Sequence, residues 1–187
     1  MTNATLIDQD LVERVLAAAS ARGGDFAEIF VEDRHTNSAM LDQRRIEELT
    51  SGRERGAGIR VVIGETTGFA HTADLTERGL LKAAEAAAAV ARSGGGGTKT
   101  VALESFRNHA TRATELPHDV DKARKVEMML LADDIARSQG SAISQVQVGL
   151  GDTSRRFLVA NTDGVFAGDH QVRTRFNVQT VAVGDTG

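Results

Sequence analysis

The sequence predicts an α+β fold, mainly an antiparallel, hairpin-connected sheet with helices packed on it. Ile59, Val61 and Ile63 alternate with Arg60, Val62 and Gly64, and that period of two marks a strand with one buried face. Apolar residues around positions 11–19 and 80–91 recur instead at helical spacing. The elements run helix, strands, helix, connecting segment, helix, strands, a helix–meander–helix followed by a helix–meander. Strands following strands argue against a doubly wound parallel sheet, and the two halves share this plan without a residue-level repeat.

The hairpin at residues 56–71, GAGIRVVIGETTGFAH, is the predicted centre of the sheet. Gly64 and Gly68 bracket Glu65, Thr66 and Thr67, a polar interval expected to turn the chain and return Phe69 alongside Val62 or Ile63. Gly56 and Gly58 stand just before it, where a missing Cβ permits a bulge or the approach of another backbone.

Upstream, Leu11, Val12, Val15, Leu16 and Ala19 form one helical face, with Glu13, Arg14 and Ser20 on the other. Asp8 or Asp10 is the expected cap, and Gly23 and Gly24 the stop. Ala27, Ile29 and Val31 alternate with Glu28, Phe30 and Glu32 as a strand. Residues 34–37 read as a turn, Ala39 and Leu41 as a second short strand, residues 46–49 as a third, and residues 51–55 as the lead into the hairpin.

Downstream, Leu80, Leu81, Ala84, Ala87, Ala88 and Ala91 make a helical stripe, capped by Thr76 or Asp74 and ended by the glycines at 94–97. So many alanines let the helix axis lie close to its sheet. Residues 98–119 hold the only proline, Pro117, and read as a connecting loop with an edge strand at Val101 and Leu103. Residues 120–139 predict a helix buried on two sides, because Val126, Met129 and Leu130 point away from Leu131 and Ile135. Val146, Val148 and Leu150 alternate as a strand, residues 157–160 form another, and Asn161, Thr162, Asp163 and Gly164 signal a hairpin before Val165 and Phe166. The final alternation sets Val172, Thr174, Phe176, Val178 and Thr180 against Arg173, Arg175, Asn177 and Gln179. The expected organisation is thus an α+β half at 1–97, a connecting segment at 98–119, and a helix with antiparallel strands at 120–187.

Composition narrows the function. A chain of 187 residues, 41% hydrophobic, suffices for a real core, but only 4% are aromatic, with no Trp or Tyr. Stacking platforms for single-stranded nucleic acid are therefore scarce, and a net charge of −4 argues against a general phosphate-binding surface. Without cysteine, disulfides, thiolate metal sites and a thiol nucleophile are excluded. The opening MTNATLIDQD lacks the basic end and apolar run of a signal peptide, and no apolar stretch reaches bilayer length. A cytoplasmic protein is the expectation.

Motif by motif, catalytic chemistry fails to assemble. His35, His71, His109, His118 and His170 include no pair at helical ligand spacing; His71, at the end of the central hairpin, is the best single functional histidine. The glycines at 94–97 before Thr98 and Lys99 follow a helix instead of opening one, unlike a phosphate loop. Gly56-Ala57-Gly58 opens a strand, unlike a dinucleotide fingerprint. Carboxylates at Asp33, Asp42, Glu47, Glu48 and Glu65 are charged turn or strand residues, for which solvation is the usual state. Arg44, Arg45, Arg53, Arg55, Arg60, Arg155, Arg156, Arg173 and Arg175, interspersed with Glu47, Glu48 and Glu54, suggest a mixed surface or partner interface. No Gly-x-Ser-x-Gly elbow occurs. No catalytic, cofactor-binding or metal-binding residue is assigned; Gly56, Gly58, Arg60, Gly64, Gly68 and His71 are the candidates for interaction or structural roles.

The segment GGDFAEIFVEDRHTNSAMLDQRRIEELTSGRERGAGIRVVIGETTGFAHTADLT, followed by the Ala-rich helix, resembles the N-terminal region of the TldD/PmbA family, older names for which include modulator of DNA gyrase. Its most specific part is Gly56, Gly58, Arg60, Gly64, Glu65, Thr67, Gly68, Phe69 and Ala70, and LVANTDGVFAGD at 158–169 also matches in kind and order. The similarity is closer to the TldD branch and covers nearly the whole chain. It implies a cytoplasmic zinc metalloprotease, active as a heterodimer of TldD with a TldE (PmbA) subunit, that cleaves unfolded or leader-bearing peptides. In that family a His-Glu-x-x-x-His helix and a distant Cys, both in a C-terminal domain, hold zinc. This sequence ends before any such helix, so no catalytic residue carries over. The resemblance implies an N-terminal scaffold and substrate-access domain, inactive alone, whose partners would be its own C-terminal zinc domain, a TldE/PmbA-like subunit and extended peptide. The alternative is a stand-alone protein-binding adaptor without hydrolytic activity, while contact with nucleic acid or membrane is not expected.

Overall fold

The computed structural model describes residues 6–91, 102–106 and 113–184. In chain order these form α1 (Gln9–Ser20), β1 (Phe26–Asp42), β2 (Arg45–Ile63), β3 (Thr66–Thr72), α2 (Glu77–Ala91), β4 (Glu104–Phe106), α3 (Lys122–Arg137), β5 (Ile143–Asn161) and β6 (Val165–Ala182). The fold is α+β, with one mostly antiparallel sheet ordered β3-β2-β1-β5-β6-β4. Thr162 N–H bonds to Ala27 O and Gln43 N–H to Val146 O, so the start of β1 meets the end of β5 and the two run antiparallel. The predicted edge strand appears as β4, beginning just past Leu103 and parallel to β6 at Val165–Ala167. Val101, the glycines at 94–97, Lys99 and His109 lie outside the described residues.

Several predicted breaks are absent. β1 passes straight through residues 34–37, joining the two strands expected on either side, and β2 absorbs both the strand at 46–49 and the lead-in at 51–55. β5 likewise contains residues 157–160. Polar side chains there report exposure, which an antiparallel strand tolerates without leaving its ladder. The β1–β2 turn falls instead on Gln43 and Arg44, at φ 47 and 65, a backbone usually given to Asn or Gly. The β5–β6 turn is where expected: Asn161 Oδ1 accepts from the N–H groups of Asp163 and Val165 at 3.0 and 3.1 Å.

The 56–71 hairpin is at the edge of the sheet, not its centre, because β3 is a terminal strand. Alternation reveals a buried face but not how many strands pair on either side. Its turn is also tighter than predicted, since only Gly64 and Glu65 leave the strands. Gly64 has φ +55, and its N–H donates to Asp25 Oδ2 at 2.7 Å. Thr66 and Thr67 therefore stand opposite Ile63 and Val62, and Phe69 opposite Arg60, so Phe69 does not lie beside Val62 or Ile63.

Contacts group the chain into two compact units. The first draws on Met1–Asp33, Glu54–Thr111 and Arg156–His170; the second on Arg34–Arg53, Arg112–Arg155 and Gln171–Gly187. In the first, α1 and α2 pack on the sheet over Ala27, Ile29, Val31, Ile59, Val61, Leu158 and Ala160. Ser20, predicted on the outer side of α1, is buried, its hydroxyl satisfied by Leu16 O at 2.9 Å. Thr76 caps α2, accepting from Gly79 N–H at 3.3 Å. In the second unit α3 covers Ala39, Leu41, Val146, Val148 and Leu150 through Met129. It is buried on one side only: Leu131 and Ile135 remain 60% and 55% exposed.

Candidate functional site

The residues singled out around the hairpin all lie within the first unit. Gly68 lies directly beneath α2, where a Cβ would overlap the Ala87 carbonyl and stand 2.7 Å from Ala91 N. A Cβ on Gly56 would meet Thr72 O at 2.9 Å, and one on Gly58 would meet the Phe69 ring at 3.1 Å. Arg60 pairs with Glu28 at 2.7 Å and lies over the Phe26 ring. His71, exposed on β3 opposite Gly58, has the Phe69 ring 6.3 Å away. These side chains do not converge on a common centre.

Among the described residues, no group of three His, Cys, Asp or Glu side chains could hold a metal. His35 and His118 stack with ring centroids 5.2 Å apart, an arrangement that turns ring faces, and not nitrogen lone pairs, toward each other. Among the described residues the donor set does not fit a zinc site.

A more coherent site lies within the second unit. Val146, Val148 and Leu150 of β5 face α3, and Asp152 continues that face, 4% exposed. Lys125 of α3 donates to Asp152 Oδ2 at 2.5 Å and to Pro117 O at 2.7 Å, while Thr174 Oγ1 donates to Asp152 Oδ1 at 3.1 Å. This satisfied ion pair fixes α3, β5 and β6 together. Asp133, wholly buried on α3, accepts from Arg137 Nε at 2.9 Å, and Arg137 reaches Gln43 Oε1 at 3.1 Å. The helix is thus also pinned to the β1–β2 turn, although Asp133 Oδ1 has no hydrogen-bond partner among the described residues.

Strand alternation then sends Gly149, Gly151 and Thr153 to the opposite face of β5. Gly149 lies beside Asn177, since a Cβ there would fall 2.6 Å from Asn177 Oδ1. Two steps along antiparallel strands bring Gly151 level with Arg175, and two more bring Thr153 level with Arg173. From the other side come Thr36, Ser38 and Thr50, with Ser38 and Thr50 hydroxyls 2.6 Å apart. Thr36, Ser38 and Thr50 on one side, with Gly151, Thr153, Arg173 and Arg175 on the other, line an open hollow of about 690 Å³. Gly151 is its floor, with nothing within 4 Å of where a Cβ would stand. Arg173 and Arg175 are exposed and have no side-chain partner among the described residues. The sequence places both arginines on a mixed surface or partner interface but does not show the hollow, which depends on cross-strand register over more than a hundred residues. The arrangement offers cations on one bank, hydroxyls on the other and bare backbone between.

Residues 27–91 match the family model described as PmbA/TldA metallopeptidase domain 1, and residues 115–187 the PmbA/TldA metallopeptidase central domain. A metalloprotease TldD homolog of Haemophilus influenzae is 26% identical over 183 residues, covering 97% of this chain and 38% of that protein. One from Buchnera aphidicola is also 26% identical, over 100% of this chain and 38% of that protein. The chain therefore spans well under half the length of these curated relatives. Among solved structures, a Bacteroides thetaiotaomicron protein designated as a modulator of DNA gyrase superposes with TM-score 0.72 at 14% identity, over 97% of this chain and 43% of that one. TldE from Thermococcus kodakarensis gives 0.67 at 16% identity, over 96% and 40%. At such identities the superpositions speak for the fold.

Proposed function

The chain belongs to the TldD/PmbA family of metallopeptidases, and from that premise we propose that it serves as the non-catalytic, N-terminal scaffold and substrate-access part of a zinc-dependent peptidase acting on unfolded or leader peptides. The observation that carries this reading is the match of residues 27–91 and 115–187 to the family's first and central domains. The chain's own residues would bind and orient, not activate water. Edge strand β3 offers a backbone ladder for extended peptide, and the hollow around Gly151 offers a polar floor. Zinc, when bound elsewhere in the full-length enzyme, would supply the Lewis acid for hydrolysis. A TldE/PmbA-like subunit and the zinc domain are the proposed partners, and the cytoplasm the proposed location; among the described residues no helix is long and apolar enough to cross a membrane.

An adaptor role is favoured by one observation, the exposed Leu131 and Ile135 on α3, which resemble a protein-docking surface more than a peptide path. Incubating the purified chain with a fluorescent unfolded peptide tests the first reading. Binding without cleavage is expected. Chelator-sensitive cleavage, with contaminating proteases excluded, would overturn it, and a failure to bind any peptide would leave the adaptor role.

A further inference from the structure

We propose that the hollow floored by Gly151 is a subsite selecting acidic stretches of extended peptide, with Arg173 and Arg175 holding carboxylates on alternate residues. This rests on the peptide-access reading above and adds a charge preference to it.

Spacing comes first. Residues i and i+2 of a strand share a face and stand about 6.6 Å apart, so the bases of the Arg173 and Arg175 side chains repeat at that interval along β6. An extended peptide running beside them repeats its own alternate side chains at the same interval. Two carboxylates separated by one residue therefore meet two guanidiniums in register, and guanidinium is the cation best matched to a carboxylate.

Charge gives the second argument. The chain carries a net −4, and three of its other arginines are paired internally: Arg60 with Glu28, Arg137 with Asp133, and Arg44 with Asp133 and Asp134. Arg173 and Arg175 are not so engaged among the described residues. The one carboxylate among the lining residues, Asp152, is neutralised by Lys125. Its field does not cancel theirs.

The floor supplies the third. Gly151 leaves room for a backbone to lie close to the sheet, and the hydroxyls of Ser38, Thr50 and Thr36 line the far side. Hydroxyls donate and accept, so they suit peptide N–H and C=O groups whatever the sequence. Arginine provides the selection.

The test is fluorescence anisotropy of the 187-residue chain with three labelled ten-residue peptides of alternating Glu-Thr, Gln-Thr and Lys-Thr. The Glu-Thr peptide should bind roughly tenfold more tightly than the Gln-Thr peptide, as two exposed ion pairs allow, and the Lys-Thr peptide most weakly. The double variant Arg173→Gln/Arg175→Gln should erase the Glu-over-Gln ratio with an unchanged circular dichroism spectrum and melting temperature. Equal binding of the Glu-Thr and Gln-Thr peptides, or a ratio that survives in the double variant, overturns the subsite and leaves peptide access standing. Binding of none of the three removes peptide access, and the subsite with it.

Discussion

Gly68 of β3 sits against the carbonyl of Ala87 so closely that no Cβ fits between them. The contact joins two features that look unrelated along the chain, a glycine inside a strand and an alanine-rich helix. Ala84, Ala87, Ala88 and Ala91 are all buried where α2 meets the sheet, and small side chains on the helix with none on the strand let the two backbones touch.

Gly68→Ala should therefore push α2 off β3 and cost about 2–3 kcal/mol, the range of an overpacked core, measured by urea denaturation. Gly64→Ala, strained at φ +55 but with nothing near its Cβ, should cost less, about 1 kcal/mol. Equal losses at the two sites would mean that backbone conformation, not helix approach, governs Gly68.

The same contact marks what the sequence made legible. The buried alternation of Ile59, Val61 and Ile63, the stripe on α2 and the Asn161 turn all follow from local patterns, and all are present. Residues 34–37 misled because a run of Arg, His, Thr and Asn resembles a turn, whereas its backbone is held by neighbouring strands. The true turn at Gln43 and Arg44 lacked the residues that usually announce one. The hollow around Gly151 was hidden for a further reason: Ser38, Gly151 and Arg175 become neighbours only through strand register, which no local window contains.

Asp152 and Lys125 should behave as a buried pair. Lys125→Met leaves the Asp152 carboxylate, only 3% exposed at its side chain, with Thr174 alone, and should cost about 3 kcal/mol. The double variant Lys125→Met/Asp152→Leu should recover most of that loss, because an apolar replacement removes both desolvation penalties. Thermal melts of the single and double variants check this. Additive losses would contradict a direct coupling.

Asp74 gives a pH signature at the start of α2. The Thr76 hydroxyl, and then the Thr76 N–H, hydrogen-bond its carboxyl and hold it below its usual 3.8. A depressed carboxyl contributes stability that is intact above the unfolded value and lost as pH falls through the lower folded value. Carbon-detected NMR titration should place the Asp74 midpoint below that of an unstructured aspartate, and Thr76→Val should return it upward. An unchanged midpoint in Thr76→Val would remove the hydroxyl as the cause.

The two sides of α3 offer the sharpest contrast between neighbouring positions. Met129 is fully buried among Leu41, Val146 and Val148, so Met129→Ala should cost about 2–5 kcal/mol through lost contacts and a cavity. Leu131 and Ile135, more than half exposed, sit where water already reaches, and Leu131→Lys/Ile135→Lys should change stability by no more than about 0.5 kcal/mol. Chemical denaturation of both variants distinguishes a helix buried on one face from the two-sided burial that its sequence suggests. A large loss in the lysine variant would mean that this flank is covered in the folded protein, and sedimentation at several concentrations would show whether a second copy covers it.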